Sequence, residues 1–351
     1  MEDFTAPLLE WYSANKRTLP WRSEKPDPYH VWVSEVMLQQ TRTEAVKGYF
    51  RRFIEELPTI SALAACPPDR LMKLWEGLGY YSRVRCLQKA AGQLCTASGA
   101  SEPKLPASAA ELRRLPGFGP YTAGAVASIA FGECVPAVDG NALRIYSRLC
   151  ADGSDIAQEC TKKAFTAAYQ AILSDENRQA HCVPGIFNQA LMDLGACICL
   201  PKNPKCAECP LAPFCKAYAA GTQDNYPVKG KAKARKAEAR SVLLLRCGEY
   251  TAIRKRPPGG MLASLWEFPN APGAWEYCAE AMGLPPGDIL SAAPAGQHTH
   301  IFTHREWVMQ AWEIKLCRCT ALPGLLWVTD KELESYAIPS AFAWCKRSGG
   351  D

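Results

Sequence analysis

No stretch of this 351-residue chain is apolar for long enough to cross a bilayer, so a membrane-spanning role is not expected. No secretory or transit leader is seen. The first residues, MEDFTAPLLEWYSANKRTLPW, instead space Phe4, Leu8, Leu9, Trp11 and Tyr12 as an amphipathic helix. No internal repeat is found along the sequence. Nor is there a large excess of either charge. Forty Lys and Arg against 35 Asp and Glu leave a formal +5 and a pI near 8.4, mildly basic. That balance fits an acidic polymer as partner without establishing one. The length leaves room for two domains, each with its own core.

Cysteine, by contrast, is plentiful: 17 residues, an odd number, scattered through helical patterns. With no secretory leader, this usage points to a reduced, intracellular protein, and a cytoplasmic location is the expectation. Four of the thiols are clustered as Cys199-x6-Cys206-x2-Cys209-x5-Cys215, among Pro201, Pro204, Pro210 and Pro213. Four thiolates in one compact loop can surround a zinc ion or a cubic iron–sulfur cluster. Softness does not separate the two, since both take four sulfurs. Cys197, two residues earlier, is an alternative ligand that spacing alone leaves open.

From Phe4 to about Leu200 the chain reads as helix after helix, punctuated by Pro and Gly. Near Asn225 it changes. The run Lys229 to Arg240 is basic and poor in apolar residues, as in a linker. Beyond it, Ser241–Arg246, Tyr250–Lys255 and Trp307–Leu316 read as strands with Pro/Gly-rich connections. The expected organisation is a mainly α region at 1–225, a basic linker at 226–237 and a smaller α+β domain at 238–345.

Within the helical region the most distinctive stretch is Leu115–Asn141, LPGFGPYTAGAVASIAFGECVPAVDGN. Gly117 and Gly119 permit positive φ and close backbone approach, and Pro120 suits the first turn of a helix over Tyr121–Ala130. Ser108-x-x-Glu111 is a capping-box signature for a short helix in front of the turn. Helix, glycine hairpin and small-residue helix can cradle a phosphate on free backbone N–H groups, or can be an ordinary corner of an α domain. Asp139 follows, either as a plain N-cap of the next helix pattern or as a reactive carboxylate. Glu35 sits in the apolar run Val31–Leu38, on a face shared with Trp32, Val36 and Gln39. There it is either ion-paired or desolvated with a raised pKa, as a general acid at neutral pH needs. A carboxylate pair in unlike environments is the arrangement that cleaves glycosidic bonds. Gly77–Arg85 joins a glycine loop to aromatics and arginines, which suits bases and phosphates and also describes a turn with surface arginines.

Taken together, these motifs make the chain similar to the helix-hairpin-helix DNA glycosylases and, within them, to the adenine DNA glycosylases (MutY). LPGFGPYTAGAVASIAFG followed by VPAVDGN resembles the family's hairpin and catalytic aspartate. SEVMLQQT resembles the segment with its catalytic glutamate, and GLGYYSRVR its intercalating loop. The cysteine spacing is similar to that superfamily's [4Fe–4S] loop at 199–215. GGMLASLWEFP and HTHIFTH resemble the C-terminal domain related to Nudix hydrolases.

The resemblance implies an enzyme of base-excision repair that flips adenine from A:8-oxoguanine, and less strongly A:G, mispairs in double-stranded DNA, then hydrolyses its N-glycosidic bond. It implies Glu35 as proton donor, Asp139 as stabiliser of the sugar cation, and Tyr121 and Asn141 as orienting groups. Trp21, Arg22 and Gln189 would line the adenine pocket. Gln40 and Tyr80 would enter the duplex, with Thr41, Gly117 and Gly119 on the DNA. Phe302, Thr303 and His304 match a Phe-Ser-His loop that meets 8-oxoguanine, with Thr303 in place of serine. A glutamate-rich metal-binding core is lacking around Glu276–Gly283, so lesion recognition is implied there instead of pyrophosphatase chemistry. Strand-cutting relatives carry lysine where this chain has Tyr121, and a phenol forms no imine, so an abasic product without strand cleavage is expected. The chain is expected to act as a monomer; no protein partner is indicated. Two competing readings are an endonuclease III-like pyrimidine-lesion glycosylase/lyase and a non-catalytic iron–sulfur DNA-binding protein.

Overall fold

A computed structural model describes residues 3–99, 101–175, 182–230 and 234–347. The chain divides into two compact units, Met1–Cys66 with Ser82–Lys231, and Pro67–Tyr81 with Ala232–Asp351.

The first unit is helical. Its elements are α1 (Thr5–Asn15), α2 (Pro28–Leu38), α3 (Thr43–Glu56) and α4 (Ile60–Ala65); α5 (Pro68–Leu74) belongs to the second unit. Then follow α6 (Ser82–Ser98), α7 (Ala109–Leu112), α8 (Pro120–Phe131), α9 (Gly140–Cys150), α10 (Glu159–Leu173), α11 (Pro184–Cys197) and the single turn α12 (Lys216–Ala219). Helix α2 is enclosed along its length: Tyr29 and Val31 to Met37 are all buried. Asp27 caps its start, accepting from the backbone N–H of Tyr29 and His30 at 2.8 and 3.0 Å, with Pro28 at the first position. The buried Arg83 guanidinium closes its other end, donating to the carbonyls of Val36 and Met37 at 2.9 and 3.0 Å and to that of Gln39.

The small residues of α8 bring the protein's own backbone close. A Cβ at Gly124 would lie 2.4 Å from the Pro136 carbonyl oxygen, and one at Gly185 of α11 would lie 2.6 Å from the Ser128 carbonyl. Buried Asn188 stitches the junction. It donates to Ser128 Oγ at 2.8 Å and to the Val135 carbonyl at 3.0 Å, and accepts from the Ala137 N–H at 2.9 Å. The approach to Asp139 is thereby fixed between two helices. Of the two hairpin glycines only Gly117 is in the left-handed region, φ +83°, where a Cβ would also strike that of Cys86 at 2.8 Å. Gly119 is extended, φ −76°, with nothing near an added Cβ, so the expectation of positive φ does not hold there. The capping box before the hairpin is half formed: Ser108 Oγ accepts from the Glu111 N–H at 3.3 Å, while Glu111 bonds the Ser108 hydroxyl.

The second unit is built on a seven-stranded sheet, with β1 (Lys236–Cys247), β2 (Tyr250–Lys255), β3 (Trp266–Glu267), β4 (Asn270–Pro272), β5 (Ile289–Ile301), β6 (Arg305–Leu316) and β7 (Leu325–Thr329). The path runs β3-β2-β1-β6-β5, with β4 on β1 and β7 on β2. Strand β1 pairs parallel with β6 from Lys236–Arg305 to Arg246–Lys315. Lys236 and Ala237, read as linker from their composition, are therefore already in the sheet; residues 231–233 of that linker lie outside the described residues. A small helix, α13 (Trp275–Ala281), covers one face, and the turn α14 (Asp330–Leu333) is closed by a full Thr329/Glu332 capping box.

Two glycines test this packing in opposite directions. Gly124→Ala should destabilise the protein by about 1–3 kcal/mol through the overpacked Pro136 contact. Gly92→Ala, mid-α6 with open space around it, should stabilise it by roughly 1 kcal/mol. Urea midpoints of the two variants against wild type give the comparison.

Candidate active site

Glu35 is only 4% exposed. Its Oε2 accepts the Tyr121 hydroxyl at 2.6 Å, a bond from α8 to α2. Burial pushes its carboxyl up to about 7 from an ordinary 4.5; the Tyr121 hydrogen bond lowers it, the Asp139 charge raises it and Arg22 lowers it. The same burial, with the Glu35 charge, holds the Tyr121 phenol well above 10.

Asp139 is the N-cap of α9. Its Oδ1 accepts the Ala142 N–H at 2.8 Å and its Oδ2 the Asn141 side-chain amide at 2.7 Å. Burial raises its pKa while the Ala142 and Asn141 donors and the Arg144 charge oppose the rise. The two carboxyls thus differ in support: Glu35 has one phenol, whereas Asp139 has several donors that favour its charged form.

Both line one cavity of about 190 Å³, along with Tyr121, Asn141, Trp21, Arg22, Gln189 and Thr41. Seven residues singled out from sequence as catalytic or base-contacting therefore come together. Gln40, Tyr80 and Gly119 are not in this lining. Gln40 is exposed with φ +58°, just past the end of α2. Among the described residues no lysine lines the cavity.

Sequence reasoning missed Asp193. Fully buried, it binds Arg22 at 2.7 and 3.0 Å and Arg17 through the backbone N–H at 3.1 Å and Nε at 2.8 Å. Arg17 reaches on to Thr43 Oγ1 at 3.2 Å. A lone carboxylate in the apolar run Ala190–Ala196 was the available signal, the same kind that marked Glu35.

The four thiols of Cys199, Cys206, Cys209 and Cys215 surround a separate small cavity of about 30 Å³, with Arg148 on its wall. Arg148, 2% exposed, donates to Cys199 Sγ at 3.3 Å and to the Leu200, Gln223 and Tyr226 carbonyls. Among the described residues no three His, Cys, Asp or Glu side chains are grouped to hold a single metal ion. Four thiols around a shared space, beside a buried cation that offsets anionic sulfur, fit a cluster spanning that space. The loop is also tied to Asp139. Arg144 donates to Asn141 Oδ1, the Gly195 carbonyl and the Cys199 carbonyl, each at 2.8 Å.

In the second unit Phe302-Thr303-His304 forms the tip between β5 and β6, closed by the Phe302 N–H on the Arg305 carbonyl at 2.8 Å. Phe302 packs edge-on to Trp307 with centroids 4.9 Å apart, while Thr303 and His304 are exposed.

Residues 33–170 match the model of the HhH-GPD superfamily of base excision DNA repair proteins. Residues 199–215 match the iron–sulfur binding domain of endonuclease III, which makes the thiol loop a [4Fe–4S] site, and residues 241–345 match the NUDIX domain. A solved thermostable thymine-DNA glycosylase superposes with a TM-score of 0.52 at 25% identity, over 62% of this chain and 95% of that one. The adenine DNA glycosylase of Schizosaccharomyces pombe is 34% identical over 77% of this chain and 69% of its own length. That of Arabidopsis thaliana is 35% identical over 85% of this chain, which spans 54% of it. The human adenine DNA glycosylase is 31% identical over 96% of this chain and 72% of its own length. The two carboxylates, the hairpin, the thiol loop and this likeness along nearly the whole chain place it in the adenine DNA glycosylase family of base-excision-repair enzymes.

Proposed function

We propose that the protein removes adenine mispaired with 8-oxoguanine or guanine in duplex DNA and leaves an abasic site. The observation that carries this reading is a pair of carboxyls facing a single cavity, buried Glu35 with its raised pKa and part-buried Asp139 with several donors that favour its charge. The adenosine leaves the stack, which costs a few kcal/mol and costs least at a mispair. It then enters the space lined by Trp21, Arg22 and Gln189.

With Oε2 of Glu35 occupied by the Tyr121 hydroxyl, Oε1 is the oxygen left to hold and deliver a proton. That proton goes to the imidazole nitrogen of the purine. The C1′–N9 bond breaks with its electron pair going to the base, and positive charge develops on the sugar. The Asp139 carboxylate, supported by Ala142 and Asn141, stabilises that charge. Glu35 then takes a proton from the water that adds at C1′, and adenine and an abasic sugar are the products. Among the described residues no lysine lines the cavity, so none of them supplies an amine to attack the sugar. The strand is therefore left uncut.

The [4Fe–4S] cluster of Cys199, Cys206, Cys209 and Cys215 would supply a rigid anchor for the loop that Arg148 and Arg144 bind. Gln40, Tyr80, Thr41, Gly117 and Gly119 would contact the duplex, and Phe302, Thr303 and His304 the base opposite adenine. The protein would act as a monomer in the compartment that holds the DNA.

Single-turnover adenine release on A:8-oxoguanine, A:G and A:T duplexes tests the substrate. The expected order is A:8-oxoguanine above A:G, with A:T inert, and equal rates on all three would overturn mispair recognition. Borohydride should trap no covalent complex.

The rate should fall as pH rises through about 7, the value to which burial lifts Glu35. Tyr121→Phe should move that alkaline limb to higher pH, because the lost hydrogen bond is one that lowers the Glu35 pKa. Glu35→Gln should abolish release yet stabilise the fold. The folded carboxyl binds its proton more tightly than the unfolded one, so wild-type stability declines between 4.5 and about 7 and the loss is complete above that. At pH 8 the variant should gain up to about 3 kcal/mol, shrinking as pH falls towards 5. Urea unfolding at the two pH values measures the difference.

A further inference from the structure

The segment Pro67–Tyr81 groups with the C-terminal unit although it lies between helices of the first. Two carboxylates fasten it there, one at each end of α5. At the start, Asp69 Oδ1 accepts from Lys255 Nζ at 2.6 Å and from the Trp266 indole N–H at 3.3 Å. At the end, Glu76 Oε1 accepts from the Ile338 backbone N–H at 3.0 Å and from Lys346 Nζ at 3.4 Å. Its Oε2 takes Lys73, whose ammonium also reaches the Tyr336 carbonyl at 3.3 Å.

Glu76 stands directly before the loop Gly77–Tyr80, in which Gly77, Gly79 and Tyr80 all have positive φ. The fully buried Trp75 closes that loop with its indole N–H on the Gly79 carbonyl at 3.1 Å. Tyr80 is left 49% exposed, with its hydroxyl 3.3 Å from Thr303 Oγ1. Gly77 and Gly79 take this conformation freely, but at Tyr80, φ +47°, it is strained and persists only where the surroundings over-determine it. Glu76 and Trp75 are the groups at the base of the loop that do so.

We propose that Glu76 is a specificity-determining positioning residue. By fastening the base of the Gly77–Tyr80 loop to the Ile338–Lys346 segment, it makes Tyr80 and Thr303 one preset surface for the base opposite adenine. This rests on the opposite-base role given above to Thr303 and on the duplex contact given to Tyr80. Glu76 is not among the residues lining the adenine cavity. Its loss therefore acts on discrimination between 8-oxoguanine and guanine, and leaves the adenine chemistry alone.

The test uses the full chain with its cluster. Glu76→Ala should lower the ratio of single-turnover rates on A:8-oxoguanine and A:G by about tenfold, the equivalent of one hydrogen bond to a charged group, with the A:G rate unchanged. Glu76→Gln keeps an acceptor for the Ile338 N–H and should restore most of the ratio. A folded Glu76→Ala protein with the wild-type ratio, or with both rates falling in parallel, overturns the proposal. Should that variant not fold, Asp69→Asn loosens the other end of α5 and must lower the same ratio; no change there overturns it equally. If the wild-type protein itself does not distinguish the two duplexes, the opposite-base reading fails by its own test. Amide exchange at Gly77–Tyr81 in DNA-free Glu76→Ala protein then decides the anchoring: faster exchange supports it, and wild-type exchange overturns it.

Discussion

The hydrogen bond from the Tyr121 hydroxyl to Oε2 of buried Glu35, 2.6 Å long, is the constraint on which the site depends. It joins two helices that each need unusual support to lie where they do. Helix α2 is enclosed along its length and carries one carboxylate among apolar residues, so both its ends are held by charge: Asp27 on its N–H groups and Arg83 on its carbonyls. Helix α8 is held close against the backbone that leads to Asp139, where Gly124 leaves room for the Pro136 carbonyl. Burial that lifts the Glu35 carboxyl to about 7 is the outcome of that packing. The fold bears a desolvated acid that a stability-optimised core would replace, which is the usual cost of an acid poised near neutral pH.

Asp139 does two jobs with one side chain. As the N-cap of α9 it satisfies the Ala142 N–H, and the same donors that make it a good cap favour its ionised form. Burial still pushes its pKa upward, and these donors with the Arg144 charge oppose that rise. The support continues outward through Asn141 to Arg144 and from there to the Gly195 and Cys199 carbonyls. The thiol loop is packed on the same core as α9 and α11, so the loop and the aspartate share one hydrogen-bonded scaffold. Structural anchoring of the cluster and placement of the carboxylate are one problem here, solved by Arg144.

Residues whose type is costly in their context were readable from the sequence. A carboxylate in an apolar run, an aspartate before a helix and four cysteines between prolines each break a local rule, and Glu35, Asp139 and the thiols stand where those violations placed them. Asp193 breaks the same rule and was passed over because no second carboxylate pointed to it; its partners Arg17 and Arg22 lie over 170 residues away. Strand β5 was invisible for another reason. It is an edge strand, largely exposed, with Pro294 and Gly296 at its register shift, so it shows neither alternation nor an apolar run. The allegiance of Pro67–Tyr81 to the C-terminal unit was likewise unreadable, since it rests on Asp69 and Glu76 finding partners far along the chain.

The threonine at 303 departs from the serine of the similar loop, and the structure shows what survives the change. Its hydroxyl stands 3.3 Å from that of Tyr80, and either oxygen can be the donor. Two hydroxyls sharing one hydrogen bond retain one proton and unused lone pairs between them. The pair can therefore present either a donor or an acceptor to a base edge without rebuilding the loop. The added methyl restricts χ1 at Thr303, which narrows the directions its hydroxyl can take. On an exposed turn closed by Phe302 and Arg305, that restriction favours a preset surface over an adaptable one, the same property that the Glu76 anchor confers on Tyr80.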